Sequence, residues 1–339
     1  MVNSTSHILN DTLSDMDDKE EDEYILGFSL EFDTFPIILA VLITALNSFV
    51  LFLAVRVRSL RTVANSILVS LAFSDLLSGV LGIPFYLACS AIQETAVCGI
   101  TQVLTKFFSI SIVLHLLLVS IDRHVDVVHA IRYHSLVTER RTIGLLLSVW
   151  AVAIFVALIQ LSWVGFDVDV NEDSEETTAR INIIYDIVCI VLFFAIPLIA
   201  MSFCYVTIFI ALKQQLRAIQ QYNVGPSIRK EKQRSRARER RAALIFVGMI
   251  TIYIICWLPY FMLNLQHQLG NGFFTLPISV EYILFYYPKF MNSLFNPLLY
   301  IFCKHDFLQA IRIIRGKASA GDRERDSLSL QNTYGKNSQ

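Results

Sequence analysis

Seven long apolar segments alternate with shorter polar segments along the chain. Their approximate bounds are 34–56, 64–88, 98–121, 143–165, 183–212, 242–266 and 277–303. A helix of such length crosses a hydrocarbon core of about 30 Å, because each residue adds about 1.5 Å. Backbone groups inside lipid must be hydrogen-bonded within the chain, and the alternating pattern of a membrane β-barrel is not seen. The pattern therefore predicts an all-α membrane protein, a bundle of seven transmembrane helices.

The composition supports this interpretation. The 339-residue chain is 55% hydrophobic and 17% charged, with a mean hydropathy of +0.55. Water-soluble domains carry about 25% charged residues, so much of this apolar surface is expected to face lipid. The formal net charge is −1, and we expect no nucleic-acid partner. The acidic N-terminus lacks the features of a cleaved signal peptide, so we expect the first span to act as the signal.

The loops between the spans differ in charge. The loop between the fourth and fifth spans carries Asp and Glu residues with Arg180 as its one basic residue. Because cytoplasmic loops are enriched in Lys and Arg, we expect the N-terminus outside and the C-terminus in the cytoplasm. The basic residues behind this expectation are Arg56, Arg58 and Arg61 after the first span, Arg132, Arg140 and Arg141 after the third, Lys213, Arg217 and the cluster 229–241 after the fifth, and Lys304, Arg312, Arg315 and Lys317 after the seventh.

The segments outside the spans are predicted to differ in order. Residues 1–33 contain ten acids and one Lys, which indicates a disordered extracellular tail. Asn3 and Asn10 begin glycosylation sequons there, although sequons this short also arise by chance. After the bundle at 34–303, residues 304–315 place apolar side chains at helical spacing, which predicts an amphipathic helix on the inner membrane face. Residues 316–339 form a polar cytoplasmic tail.

Polar residues inside the spans predict a buried polar core. A charge at the centre of a membrane helix costs about 2.5–3.5 kcal/mol, so Asp75 in the second span needs an explanation. Asn47 in the first span, with Asn292, Ser293 and Asn296 in the seventh, offers it polar partners. Such a core could hold a cation or a proton. The alternative, that Asp75 is merely tolerated in a wet interior, stays open.

The inner end of the third span carries an acid beside a base. Asp122 and Arg123 are adjacent at the membrane boundary, and Glu239 precedes the sixth span. An Arg held by carboxylates in one state and released in another is a two-state element. Alternatively, Arg123 is an anchor that reaches the lipid headgroups. Pro197, Pro259 and Pro297 lie inside the last three spans, where they are expected to bend each helix.

Together these residues resemble the rhodopsin-like (class A) G-protein-coupled receptors, over about residues 34–315. The motifs are Asn47, Leu71-Ala72-Phe73-Ser74-Asp75, Asp122-Arg123-His124, Trp150, Pro197 with Tyr205, Cys256-Trp257-Leu258-Pro259 and Asn296-Pro297-Leu298-Leu299-Tyr300. Each motif is short, but all occur in order, on the expected helices. The resemblance implies a multi-pass plasma-membrane receptor that binds an extracellular ligand and signals to a heterotrimeric G protein, with arrestin and a receptor kinase expected at the C-terminal tail.

The resemblance also implies an activation switch. In the family, helix six swings outward around the residue matching Pro259, the residue matching Arg123 leaves its acidic partners, and the cleft so opened admits the G protein. The residues expected to take part are Asp122, Arg123, Glu239, Tyr205, Trp257, Pro259, Asn296, Pro297 and Tyr300. No enzymatic activity and no cofactor are implied.

The sequence departs from the family pattern in several places, one of which is His124 in place of the usual tyrosine, a change that we expect to be tolerated. Cys98 matches the family cysteine at the outer end of helix three, yet the following extracellular loop has no cysteine, so we expect Cys89 as its partner. Ile112 replaces a serine that faces the family's sodium site. Thr105 stands where amine receptors carry an aspartate, which argues against a monoamine salt bridge.

By this resemblance the ligand cavity opens outward between helices three, five, six and seven. Lys106 and Lys289 are unusual members of it, and they indicate either an anionic ligand or internal pairing with Asp186 or Glu281. The residues expected to face the ligand are Thr105, Lys106, Ser109, Asp186, Tyr260, Phe261, Asn264, Phe285, Tyr286 and Lys289.

Two alternative functions are an opsin-like photoreceptor and a membrane transporter. Lys289 suggests an opsin-like photoreceptor, but it lies eight residues before Pro297, one more than in the opsin pattern, and one residue turns a helix by about 100°. A membrane transporter would show internal repeats or paired broken helices, and neither is seen. Motifs for zinc ligation or nucleophilic catalysis are also not seen, so no metal is expected.

Overall fold

The computed structural model describes residues 30–162, 172–221, 226–269, 277–314 and 316, and over those ranges the regular elements are all helices. The sequons at Asn3 and Asn10 and the tail from 317 lie outside the described residues. Eight main helices follow one another: α1 Leu30–Arg56, α2 Val63–Ile92, α3 Thr95–Val128, α4 Glu139–Ser162, α5 172–221, α6 Pro226–Leu269, α7 278–303 and α8 His305–Ile314.

Three of these helices contain a π-helical turn. The turns are Ser78–Gly82 in α2, Val191–Ala195 in α5 and Tyr282–Tyr286 in α7. A π turn adds a residue and locally rotates the side chains that follow. In α2 the turn brings Gly79 so close to α1 that a Cβ atom there would lie 2.9 Å from the Thr44 Oγ1 atom. A glycine is therefore needed for the contact between these two helices.

The helices pack as a bundle whose outer surface is apolar. Leu147 and Phe155 on α4 and Ile199 and Phe203 on α5 are each at least 64% exposed. Large apolar side chains in such numbers on a surface are expected where lipid, and not water, is the solvent. Six helices, α1 to α6, contain stretches long and apolar enough to cross a membrane.

α7 completes the seven-helix bundle although its composition is more polar. It packs against α1, α2 and α6. Lys289, Asn292, Ser293 and Asn296 on α7 are all at most 4% exposed. These polar side chains lower its mean hydropathy, but they face the bundle interior, so the lipid does not meet them.

α8 lies against the end of the bundle where α7 ends. Phe307 and Ala310 are fully buried, whereas Ile313 and Ile314 are exposed. The Phe307 ring packs on the Tyr300 ring of α7 at 5.2 Å between centroids. α8 therefore fixes the position of the last turn of α7.

Candidate functional site

A cavity of about 490 Å³ lies at the end of the bundle where α2 ends and α3 begins, and side chains from α2 to α7 line it. Nine of the ten residues predicted to face a ligand do line this cavity. They are Thr105, Lys106, Ser109, Asp186, Tyr260, Phe261, Asn264, Tyr286 and Lys289. Phe285 is buried but is not among the lining residues. Since neighbouring helical residues point about 100° apart, Tyr286 faces the cavity and Phe285 points aside.

Five polar or aromatic lining residues were not predicted: Tyr86, Thr101, Gln102, Gln160 and Asn182. Gln102 lies one helical turn before Lys106, so helical spacing could have revealed it. Tyr86 and Gln160 come from α2 and α4. Only the packing of the helices brings those two to the cavity.

Lys106 and Asp186 form an ion pair across the cavity. The Lys106 Nζ atom donates to Oδ1 of Asp186, and the two side chains are 13% and 7% exposed. The Asn264 side-chain amide donates to the other carboxylate oxygen at 2.8 Å. α3, α5 and α6 are thus joined by one polar group of three side chains. Both oxygens of the Asp186 carboxylate accept hydrogen bonds in it.

Lys289 lies in the same cavity in different surroundings. Its Nζ atom is 4.3 Å from the centroid of the Tyr260 ring and 5.0–5.4 Å from those of Tyr86, Tyr286 and Phe290. Aromatic faces attract a cation through the ring quadrupole. Within the described ranges no carboxylate forms an ion pair with Lys289, although the side chain is buried.

A disulfide closes one wall of the cavity. Cys89 near the end of α2 and Cys98 in the first turn of α3 are bonded, with their Cα atoms 4.8 Å apart. Between them the chain reverses at Gln93, whose φ of 54° is left-handed. The bond therefore ties α2 to α3 at the position where both helices contribute side chains to the cavity.

An aromatic cluster lies beneath the cavity. Trp257 is 3% exposed and packs on the Phe261 ring at 5.9 Å and on the Tyr260 ring at 6.0 Å. On its other side it contacts Tyr253, whose ring centroid is 6.3 Å away. Because Tyr260 and Phe261 line the cavity, a ligand that moves them would also move Trp257.

A buried polar core lies between α1, α2 and α7. The Asn296 amide donates to Asp75 Oδ2 at 3.0 Å, and the Asn47 amide donates to the Ser293 carbonyl at 3.2 Å. Asp75 Oδ1, both polar side-chain atoms of Asn292 and the Tyr300 hydroxyl are buried and have no hydrogen-bond partner among the described residues. Buried polar atoms of this kind are ordinarily satisfied by water.

Arg123 lies at the opposite end of α3 from the cavity. Its guanidinium donates to Asp122 Oδ2 and, at 2.9 Å, to Asp126 Oδ2. The sequence analysis missed Asp126, although a residue three positions along a helix lies on the same face. The side chain of Glu239, the second predicted partner, lies outside the described part of the chain.

Asp122 has a further partner in the loop after α3. The Tyr133 hydroxyl donates to Asp122 Oδ1 at 3.0 Å. Burial, followed by the negative charge of Asp122, raises the pKa of Tyr133. The phenol therefore remains protonated and a donor at physiological pH.

Tyr205 and His124 connect this end of α3 to α5. The hydroxyl groups of Tyr205 and Ser120 are 3.1 Å apart, and Thr207 Oγ1 is 2.8 Å from His124 Nδ1. Tyr205 is 5% exposed and Tyr300 is fully buried. The structure thus places Tyr205 and Tyr300 in the same half of the bundle as Arg123, as the motif positions predicted.

Comparisons with known proteins agree on one family. Residues 46–300 match the family described as 7 transmembrane receptor (rhodopsin family). The histamine H2 receptor of Homo sapiens is 30% identical over 285 residues, which are 81% of this chain and 77% of that protein. The histamine H2 receptor of Cavia porcellus is 27% identical over 300 residues, with 84% and 81% covered. The octopamine receptor beta-1R of Drosophila melanogaster is 26% identical over 317 residues, with 85% and 60% covered.

Proposed function

Because this chain belongs to the rhodopsin family of seven-transmembrane receptors, we propose that it carries a signal from the cavity at one end of α3 to a heterotrimeric G protein at the other end, with Arg123 as the switch. The family makes it a multi-pass membrane receptor that signals through G proteins and is not an enzyme. The observation that carries the finer proposal is the position of Arg123, held by Asp122 and Asp126 on the same helix that lines the cavity.

The proposed route runs through the aromatic cluster. A ligand in the cavity contacts Tyr260 and Phe261, which pack on Trp257. Two residues after Trp257 in α6, Pro259 removes a backbone hydrogen bond and permits that helix to bend. Movement of α6 away from α3 would uncover Arg123 to the G protein. Asn296, Pro297 and Tyr300 are proposed to move with it, since α6 and α7 pack together.

The remaining predictions extend this proposal to the whole chain. We propose that the N-terminal tail is extracellular and glycosylated, and that the C-terminus is cytoplasmic, as the loop charges require. On this orientation the cavity opens outward and Arg123 faces the cytoplasm. Arrestin and a receptor kinase are the proposed partners of residues 316–339, and plasma-membrane lipid surrounds the bundle.

The two alternative functions are less well supported. The curated relatives are by name receptors for histamine and octopamine, which favours neither a photoreceptor nor a transporter. Lys289, the residue that suggested an opsin-like photoreceptor, lies among four aromatic rings.

The proposal is tested by guanine-nucleotide exchange with the full chain in lipid nanodiscs and a panel of purified Gα subunits with βγ. We expect at least one Gα to exchange faster than with empty nanodiscs. Arg123→Ala should remove the increment, because no other described side chain replaces its charge at this position. Arg58→Ala, which alters an exposed residue in the loop after α1, is the control and should retain it. Equal exchange with Arg123→Ala and the unmodified chain would refute the role of Arg123.

A further inference from the structure

The ligand class can be inferred from the charges of the cavity. Its charged lining residues are Lys106, Asp186 and Lys289. Lys106 and Asp186 neutralise each other, so one positive charge remains among the described lining residues. We propose that the cavity binds a small organic acid, whose carboxylate contacts the Lys289 ammonium group and whose apolar part packs on the surrounding rings. This inference rests on the proposed function, because it names the ligand of the same cavity.

An ammonium ligand is disfavoured by the state of Asp186. Its Oδ1 accepts from Lys106, and its Oδ2 accepts from Asn264. A ligand amine would have to displace Lys106 and leave that lysine buried without its carboxylate, which costs several kcal/mol. Thr105, which also lines the cavity, carries no charge. Both oxygens of the Asp186 carboxylate therefore already accept hydrogen bonds from protein side chains.

The aromatic rings around Lys289 do not remove its need for an anion. The four rings attract the charge, each by about 0.5–2 kcal/mol. They do not neutralise it, and they provide no strong acceptor for the three N–H groups of the ammonium. A ligand carboxylate provides both, and charge-assisted hydrogen bonds are about twice as strong as neutral ones.

The shape of the cavity fits the rest of such a ligand. A volume of about 490 Å³ is within the usual range for small-molecule sites, about 300–1,000 Å³. Tyr86, Tyr260, Phe261 and Tyr286 form an aromatic wall around Lys289. An aryl or alkyl group of the ligand would pack on this wall. We therefore expect an amphiphilic monoacid, in preference to a highly charged anion such as a nucleotide.

The test compares matched probes that differ only in their polar group. The full chain in nanodiscs at pH 7.4 is titrated with ω-phenylalkanoates of increasing chain length, and with the primary amine, alcohol and methyl ester of each length. Thermal stability and direct binding by calorimetry are measured. At least one carboxylate is expected to bind at least tenfold more tightly than its matched amine, alcohol and ester. A series in which no carboxylate exceeds its matched alcohol, or in which an amine binds most tightly, would overturn the proposal.

Variants then assign the effect to one side chain. In Lys289→Met the affinity for the carboxylate is expected to fall at least tenfold, to that of the alcohol, while alcohol binding is kept. Lys289→Gln is the second variant, in case Met is poorly folded. Lys213→Met changes an exposed lysine on α5 far from the cavity, and it should bind as the unmodified chain does. Carboxylate selectivity that persists in both Lys289 variants would refute the assignment.

The nucleotide-exchange assay separates this inference from the proposed function. Carboxylate binding that depends on Lys289, without any Gα exchange, would support the ligand class and contradict the G-protein proposal. Exchange that depends on Arg123, with no carboxylate selectivity, would support the G-protein proposal and contradict the ligand class.

Discussion

Cations near the two ends of α3 lie in opposite circumstances. At the inner end, which is proposed to face the cytoplasm, Arg123 has two carboxylates, Asp122 and Asp126. At the cavity end, two lysines share one carboxylate, so Lys106 is paired with Asp186, whereas Lys289 is surrounded by aromatic rings. Arg123 thus has more than one carboxylate partner, whereas the described lining of the cavity has one lysine more than it has carboxylates.

This difference separates two tasks. A cation that is paired with more than one carboxylate is stable in that position, and free energy is needed to release it. This is expected of a switch whose resting state is inactive. A buried cation that lacks a counter-ion gains free energy when an anion arrives. On these proposals, α3 connects a cavity that a ligand would complete to a switch that the ligand would open.

The largest effect is expected when the ion pair between Lys106 and Asp186 in the cavity is broken. In Asp186→Asn the buried Lys106 loses its carboxylate, and we expect the free energy of unfolding to fall by about 3–5 kcal/mol. The measurement is thermal or denaturant unfolding of the purified chain. The control is the double variant Lys106→Met with Asp186→Leu, which removes both charges and should cost much less. Equal loss in the single and double variants would show that packing, not the charge, is responsible.

The next effect concerns the disulfide between Cys89 and Cys98, which ties α2 to α3 at the wall of the cavity. Removing the bond by Cys89→Ser should lower the free energy of unfolding by about 2–3 kcal/mol, the loop-closure value for a sequence separation of nine. Cys98→Ser should have the same effect, and the double variant no more than either. If the two single losses add in the double variant, the cysteines act separately and not as a bond.

A smaller effect is expected when the ion pairs of Arg123 at the inner end are weakened. Asp122→Asn removes one charge that holds Arg123 and weakens the Tyr133 contact, so basal nucleotide exchange should rise about tenfold, which is about 1.4 kcal/mol. Tyr133→Phe removes only one hydrogen bond and should raise basal nucleotide exchange by a smaller factor. Unchanged or reduced basal exchange in Asp122→Asn would mean that this carboxylate does not restrain Arg123.

The smallest effect is a pH dependence at the junction of α7 and α8. Burial, and then repulsion by Arg123, lower the pKa of Lys304 to about 8, from 10.5. Between these values the unfolded chain binds more protons than the folded one. The free energy of unfolding should therefore rise with pH across this window, and the contribution should be constant below it.

Lys304→Met isolates this contribution, because other lysines and tyrosines also titrate at alkaline pH. The stability difference between the unmodified chain and the variant, measured at several pH values from 7 to 11, should change across the window. A flat difference would contradict the lowered pKa.

Parts of the site could be predicted because helical spacing is local. Thr105, Lys106 and Ser109 share one face of α3, and all three line the cavity. Phe285 was misplaced because one residue of error on a helix turns the side chain by about 100°, and a π turn ends at the next residue. Asp126 was not among the predicted partners of Arg123, which were the adjacent Asp122 and Glu239 before the sixth span, although it lies about one turn along the same helix.

The apolar segments and the charged residues within them were enough to predict a seven-helix bundle with a polar interior. Lipid imposes a length and an apolar surface on every span, and a buried charge is conspicuous against that background. The packing of the helices, in contrast, was needed to show that Lys106 pairs with Asp186 and that Lys289 lies beside Tyr86 and Tyr260. These contacts join side chains on different helices, and their distances depend on how those helices rotate and pack against one another, which no local pattern specifies.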